Sequence, residues 1–232
     1  MMKPLLVLAA LVLLIPGPAA HAAAASGKAT IIDGDTISVM MDGGTVFARP
    51  IVVRIHGIDA PETGQKCQLP KGTWDCSRAA IKALAAMAEG KVVVCDPRGR
   101  DDYGRLIGKC STKGEPDIGA KLVASGLAWA FIKYSTDYSH LEETPRAKRI
   151  GIWQSKTQPP WEYRARRWET AAQIVPTKDC PIKGNVSAKG ERIYHAPWSR
   201  HYARTRVEPA KGERWFCTEA EAIAAGWRAP YR

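Results

Sequence analysis

A chain of 232 residues can hold one domain with a sizeable core and a smaller appendage. Its six cysteines form no C-x-x-C pair and no close cluster with histidine, which argues against a zinc centre. The net charge of +11 is unevenly placed: residues 145–232 carry 18 Lys+Arg against 8 Asp+Glu, leaving only +1 for the remainder. An anionic partner follows, whether nucleic acid, acidic polysaccharide or a membrane surface. A merely solubilising basic surface is the alternative.

In chain order, the first segment reads as an export signal. Lys3 supplies a positive start, Leu5 to Ile15 is continuously apolar, Pro16-Gly17-Pro18 breaks the run, and Ala20-His21-Ala22 offers a cleavage site. The apolar run falls short of the roughly 20 residues that span a bilayer. Residues 1–22 are therefore expected to be a signal peptide, and the mature protein to be secreted or periplasmic, a monomer without stable membrane insertion; an uncleaved anchor is the other reading. Cysteines in an oxidising compartment favour disulfides, and proximity along the chain suggests Cys67–Cys76, Cys95–Cys110 and Cys180–Cys217.

Residues 27–160 read as strands first and helices later. Ile37, Val39 and Met41 alternate with polar Thr36 and Ser38 after an Asp-Gly turn, and a second turn is expected at Asp42-Gly43-Gly44. In Ile51-Val52-Val53-Arg54-Ile55 the period of two places Ile51, Val53 and Ile55 on one face and Val52 and Arg54 on the other. Ser77 is the expected cap of a helix running through Ile81, Leu84 and Met87 to a stop at Gly90. Lys91 to Cys95 and Leu106 to Cys110 read as a hairpin that a Cys95–Cys110 bridge would cross-link. A second helix is expected over Asp117 to Gly126 and a third around Leu141 to Arg149, where Pro145 either starts the helix behind Thr144 or kinks it. The pattern suggests an α+β domain with a compact five-stranded barrel of OB type and about three helices. Residues 161–179 read as a basic, Trp-containing linker with a short helix. Residues 180–232 read as a small basic, aromatic module bounded by Cys180 and Cys217 and closed by a helix over Thr218 to Ala225. So small a unit has little core of its own, and the bridge would help it hold a fold.

Three motifs carry the chemistry. Ile32-Asp33-Gly34-Asp35-Thr36 is by itself only a good hairpin turn. Arg54-Ile55-His56-Gly57-Ile58-Asp59-Ala60-Pro61-Glu62 carries an arginine from a strand into a loop with two carboxylates, and Asp102-Tyr103-Gly104-Arg105 places a second arginine at a strand entrance. Singly these are surface charges. Together they match the needs of phosphodiester hydrolysis: oxygen ligands for a hard cation, a base for water, and planar guanidinium groups for a developing dianion.

In that order and at those spacings the motifs resemble the staphylococcal-nuclease-like family, over roughly residues 29–153. Leu122-Val123, Gly126-Leu127-Ala128 and Gly151-Ile152-Trp153 add to the match. The resemblance implies a Ca2+-dependent phosphodiesterase acting on DNA and RNA, with single strands preferred and 3′-phosphate products. It implies Asp35 and Asp59 as calcium carboxylates, the Ala60 backbone carbonyl as a further ligand, and Asp33 behind them. Glu62 matches the general base, Arg54 and Arg105 the phosphate-clamping arginines, and Tyr103 a substrate contact. Cysteines 67 and 76 also resemble those of the exported bacterial branch, which supports their pairing. Two departures stand out: Asp102 lies where many relatives carry a basic residue, and Pro145 lies in the third helix. In the C-terminal module, arginines interleaved with Tyr194, Trp198, Tyr202 and Trp215 suit polyanion contacts, or a small aromatic core with a solvated basic face. His195 and His201 beside Trp198 fit ordinary packing better than a ligand site. The competing functions are a non-catalytic nucleic-acid-binding barrel, against which the complete set of carboxylates and arginines speaks, and an envelope protein linked to acidic exopolysaccharide.

Overall fold

The computed structural model describes residues 24–41, 50–174 and 180–230, without side chains at 172–174. The expected signal peptide, the Asp42-Gly43-Gly44 turn and residues 175–179 of the expected linker lie outside them. Five strands close into a barrel: β1 (Ala25–Ile31), β2 (Thr36–Met41), β3 (Ile51–Ile55), and further on β7 and β8. Between β3 and β7 come the short strands β4 (Ile58–Asp59), β5 (Cys67–Gln68) and β6 (Thr73–Trp74) and helix α1 (Cys76–Ala88). Strand β7 (Val92–Arg100) then pairs with both β1 and β8 (Leu106–Ser111). Closure comes from the parallel pairing of β3 with β8, while the other pairs around the barrel are antiparallel. This is the expected OB-type barrel.

The period of two in β2 and β3 turns Ile37, Val39, Val53 and Ile55 into the barrel, where each is at most 1% exposed. Arg54 is left on the opposite side. Helix α1 lays Ala80, Leu84 and Ala88 on the same core. Its cap is Asp75, not Ser77: the Asp75 carboxylate accepts from Arg78 N at 3.0 Å and from Ser77 Oγ at 2.9 Å. A carboxylate there satisfies an orphan N–H and carries the sign that favours a helix N-terminus. Helix α2 (Ile118–Ala124), capped by Asp117, is followed by β9 (Trp129–Ala130), which pairs with β4.

The third helix is shorter than its sequence suggests. A 3-10 turn over Ser139–Glu142 runs into α3 (Glu143–Ala147), so Pro145 sits in the first turn, where its missing N–H costs nothing, and Thr144 is inside the helix instead of capping it.

Helix α4 (Pro160–Ile174) crosses from the barrel to the C-terminal module. The module is a three-stranded sheet of β10 (Ile182–Val186), β11 (Arg192–His195) and β12 (Arg214–Phe216) with α5 (Glu219–Ala224). Phe216, Trp227, Ile182 and Tyr194 form its small core, onto which Trp168 of α4 packs. The three disulfides are Cys67–Cys76, Cys95–Cys110 and Cys180–Cys217, the pairs that proximity suggested. Among the described residues no helix is long and apolar enough to cross a membrane.

Candidate active site

Three backbone segments bring the carboxylates together at one side of the barrel. The turn between β1 and β2 is fixed by Ile32 N and Asp33 N, which both donate to the Thr36 carbonyl, and by Asp35 N, which donates to Asp33 Oδ1 at 3.1 Å. Thr36 is in register with Arg54, so the turn delivers Asp35 beside the β3 arginine. Strand β4 is held by β9 with Asp59 opposite Trp129. Ala60 N then donates to Asp35 Oδ2 at 2.7 Å, tying the two acidic segments to each other.

Arg54 bridges the pair. Its Nη1 donates to Asp35 Oδ1 and its Nη2 donates to Asp59 Oδ1 at 2.8 Å. Burial opposes the charge on both sides, yet the Asp35 and Asp59 carboxylates hold the guanidinium more firmly protonated than usual, and Arg54 with the Ala60 N–H holds Asp35 below the ordinary carboxylate range. Asp33 behaves oppositely: lost solvation and the Asp35 carboxylate beside it push its carboxyl up to about 7.

Glu62 is positioned by Gln65, a buried side chain whose Oε1 accepts from Glu62 N at 2.9 Å and whose Nε2 donates to the Gln158 carbonyl at 2.7 Å. The Glu62 carboxylate keeps 29% of its surface exposed, while Asp59 has none. Arg105 lies at the entrance to β8 and is steadied by Asp101, whose Oδ2 accepts from Arg105 Nε at 2.7 Å, and its guanidinium lies 5.1 Å from the centre of the exposed Tyr103 ring. Its charge reaches Asp35 through space and helps to keep that group ionised. The direct contacts therefore join Asp35, Arg54, Asp59 and Ala60, with Asp33 hydrogen-bonded behind Asp35, Glu62 on the loop that follows Ala60, and Arg105 and Tyr103 on a neighbouring loop.

One residue of this cluster lies in the segment read as a linker. Arg164 of α4 donates from Nη2 to Asp59 Oδ2 at 2.8 Å and from Nη1 both to Asp59 Oδ1 at 3.1 Å and to Glu62 Oε1 at 2.7 Å. Helix spacing contained a signal for it. Trp161, Arg164 and Trp168 stand at i, i+3 and i+7, on one side of a helix. Trp161 stacks on Phe131 with ring centroids 5.4 Å apart and an interplanar angle of 11°, Trp168 meets Trp198 edge-on at 4.4 Å, and Arg164 between them faces the acidic cluster.

The C-terminal module borders the site. Glu219 at the start of α5 has its carboxyl raised by lost solvation and then by the charge of Glu62, and Glu219 in turn raises Tyr103 and Tyr194 alongside desolvation. Between α4 and the module lies a cleft of about 300 Å³ lined by Tyr163, Arg166, Trp198 and Tyr202. His195 packs inside the module, with Nε2 3.0 Å from Asn185 Oδ1, and its basicity is lowered by burial and by nearby His201.

The donor chemistry fits a hard cation. Asp35 and Asp59 offer only oxygen and are buried, and a hard cation takes such carboxylates together with carbonyl and water oxygens. Among the described residues no group of three or more His, Cys, Asp or Glu side chains is arranged to hold a metal.

A model of the staphylococcal nuclease homologue family matches residues 52–155. The chain is similar to protein ParB of Escherichia coli, with 32% identity over 169 residues that cover 67% of this chain and 88% of that protein. It is similar to the succinoglycan biosynthesis protein ExoI of Rhizobium meliloti (strain 1021), with 31% identity covering 56% of this chain and 65% of that protein. An uncharacterized endonuclease of Escherichia coli is 29% identical, covering 59% of this chain and 82% of that protein.

Proposed function

This chain belongs to the staphylococcal nuclease family, and from that premise we propose that it is an exported, calcium-dependent nuclease that hydrolyses phosphodiester bonds of DNA and RNA. The observation that carries the reading is the single hydrogen-bonded cluster of Asp35, Arg54 and Asp59 at the side of the barrel, to which Arg164 joins Glu62. Asp35, Asp59 and the Ala60 carbonyl are the groups to hold the cation, which when bound would neutralise charge on a phosphoryl oxygen. Asp33 stiffens the turn that presents Asp35. Glu62, partly open to water and fixed through Gln65, accepts the proton of the attacking water. Attack on phosphorus breaks the bond to the 5′ oxygen and leaves a 3′-phosphate. Arg54 lies between the carboxylates, and Arg105 beside Tyr103, so that two planar guanidinium groups meet the charge that grows on phosphorus. Single strands are the favoured substrate, because a strand without a partner can turn its bases aside and let the backbone reach the cluster.

Three disulfides support export to an oxidising compartment. A nucleic acid is the partner, with polyanion contacts from the basic C-terminal module and a monomer as the working unit. The similarity to a succinoglycan biosynthesis protein favours a second reading, a part in acidic exopolysaccharide production. Degradation of single-stranded DNA and RNA by the mature protein, with calcium and then with a chelator, separates the two. Cleavage that needs calcium is expected; no cleavage with calcium would overturn the nuclease reading, and equal cleavage in chelator would overturn its calcium dependence.

A further inference from the structure

We propose that Arg164 is a built-in competitor of the divalent cation: its guanidinium holds Asp59 and Glu62 when no cation is bound, and a cation can take Asp59 only when Arg164 leaves. The inference rests on the calcium reading above.

The geometry carries it. Both oxygens of Asp59 accept from Arg164, and Oδ1 accepts from Arg54 as well, so a cation approaching this carboxylate meets the hydrogen atoms of two guanidinium groups. Asp59 is fully buried, and a buried carboxylate stripped of counter-charge is costly, so some cation must stand beside it. Charge balance points the same way. The contacting groups are Asp35, Asp59 and Glu62 against Arg54 and Arg164, a net −1; without Arg164 the cluster is −2, which a dication balances.

Arg164 is also built to move. Its side chain keeps 36% of its surface exposed and hangs on a long, flexible stem, while its helix is pinned independently by Trp161 on Phe131, and the segment just before it by the Gln65–Gln158 hydrogen bond. The guanidinium can swing out without displacing α4. It lies beyond residues 52–155, the segment that the family model matches. The chain thus carries its own placeholder cation, with bidentate geometry that an ammonium group cannot reproduce.

The test is calorimetric titration of the disulfide-intact protein with calcium, comparing the wild type with Arg164→Gln and Arg164→Lys at one ionic strength, with near-ultraviolet circular dichroism as the check on folding. Removing the competitor should tighten calcium binding by at least about tenfold in Arg164→Gln, with a smaller gain in Arg164→Lys, and should lower the melting temperature of the calcium-free protein. If Arg164→Gln does not fold, the lysine variant alone decides: tighter binding supports the competition. Equal or weaker calcium affinity in the folded variants overturns it while leaving the calcium reading intact. No calcium binding by wild type or variant overturns both.

Discussion

At the scale of single residues, the cluster separates groups that act from groups that hold. Glu62→Gln keeps the side chain's size and its hydrogen bond to Arg164 but removes the base. Cleavage of single-stranded DNA should fall by two or more orders of magnitude with an unchanged circular dichroism spectrum; near-normal activity would end the role given to Glu62. Arg105→Ala should cost about 10²–10³-fold in rate for the loss of one charged phosphate contact. Asp75 has only a holding role. It caps α1 while Arg78 N, Lys66 and Ser77 hold its carboxyl down at about 2. Its folded-state pKa lies below the ordinary value, so its contribution is present above about pH 4 and is lost as the pH falls toward 2. Asp75→Ala should therefore lower the melting temperature at pH 7, by about 1 kcal/mol of stability for a lost cap. The difference from wild type should narrow as the pH falls from about 4 to 2, and a difference that stays constant over that range would contradict the assignment. Asp75 and Ser77 also show where local sequence leaves a choice open: either can cap a helix, and only the hydrogen-bond geometry selects between them.

At the scale of elements, two junctions decide where the active-site loops end up. Gly126 and Gly151 lie back to back with φ of 65° and 61°, and Ile152 N donates to the Gly126 carbonyl at 2.9 Å. A Cβ on Gly151 would run into that carbonyl, so Gly151→Ala combines left-handed strain with a clash and should cost about 1–3 kcal/mol, read as a lower denaturation midpoint. An unchanged midpoint would show that the junction yields easily. The motif Gly151-Ile152-Trp153 was legible in the sequence; its reason, the contact with Gly126, was not. The second junction is α4. Its residues were read as a linker because Trp and Arg along a polar stretch give a weak amphipathic pattern when the partner surfaces are two different units, the barrel at Trp161 and the module at Trp168. The short α3 has a comparable origin. Pro145 fits only within the first turn of a helix, which sets the start of α3 at Glu143 and gives the preceding turn to 3-10 geometry.

At the scale of the whole molecule, the proposed chemistry lies on the barrel, while the positive excess is shared equally between residues 145–179, with 8 Lys+Arg against 3 Asp+Glu, and the C-terminal module, with 10 against 5. Arg200, Arg204 and Arg206 are exposed on that module. Replacing them together with serine should weaken binding to single-stranded DNA and flatten its salt dependence, by about 0.7 in the log–log slope for each lost phosphate contact. An unchanged slope would return these arginines to a solubilising role. The sequence by itself determined the alternating strands, the disulfide pairs suggested by proximity, the order of the motifs and the charge asymmetry, because each of these is written in short-range spacing or in a count. Only the tertiary structure decided that Arg164 stands against Asp59 and Glu62, roughly a hundred positions back along the chain, that Asp101 steadies Arg105, and that Glu219 borders the site. Those contacts depend on how α4 and the module dock on the barrel. Docking is set by packing between distant faces: the spacing of Trp161, Arg164 and Trp168 marks one side of α4 but does not say which surfaces it meets.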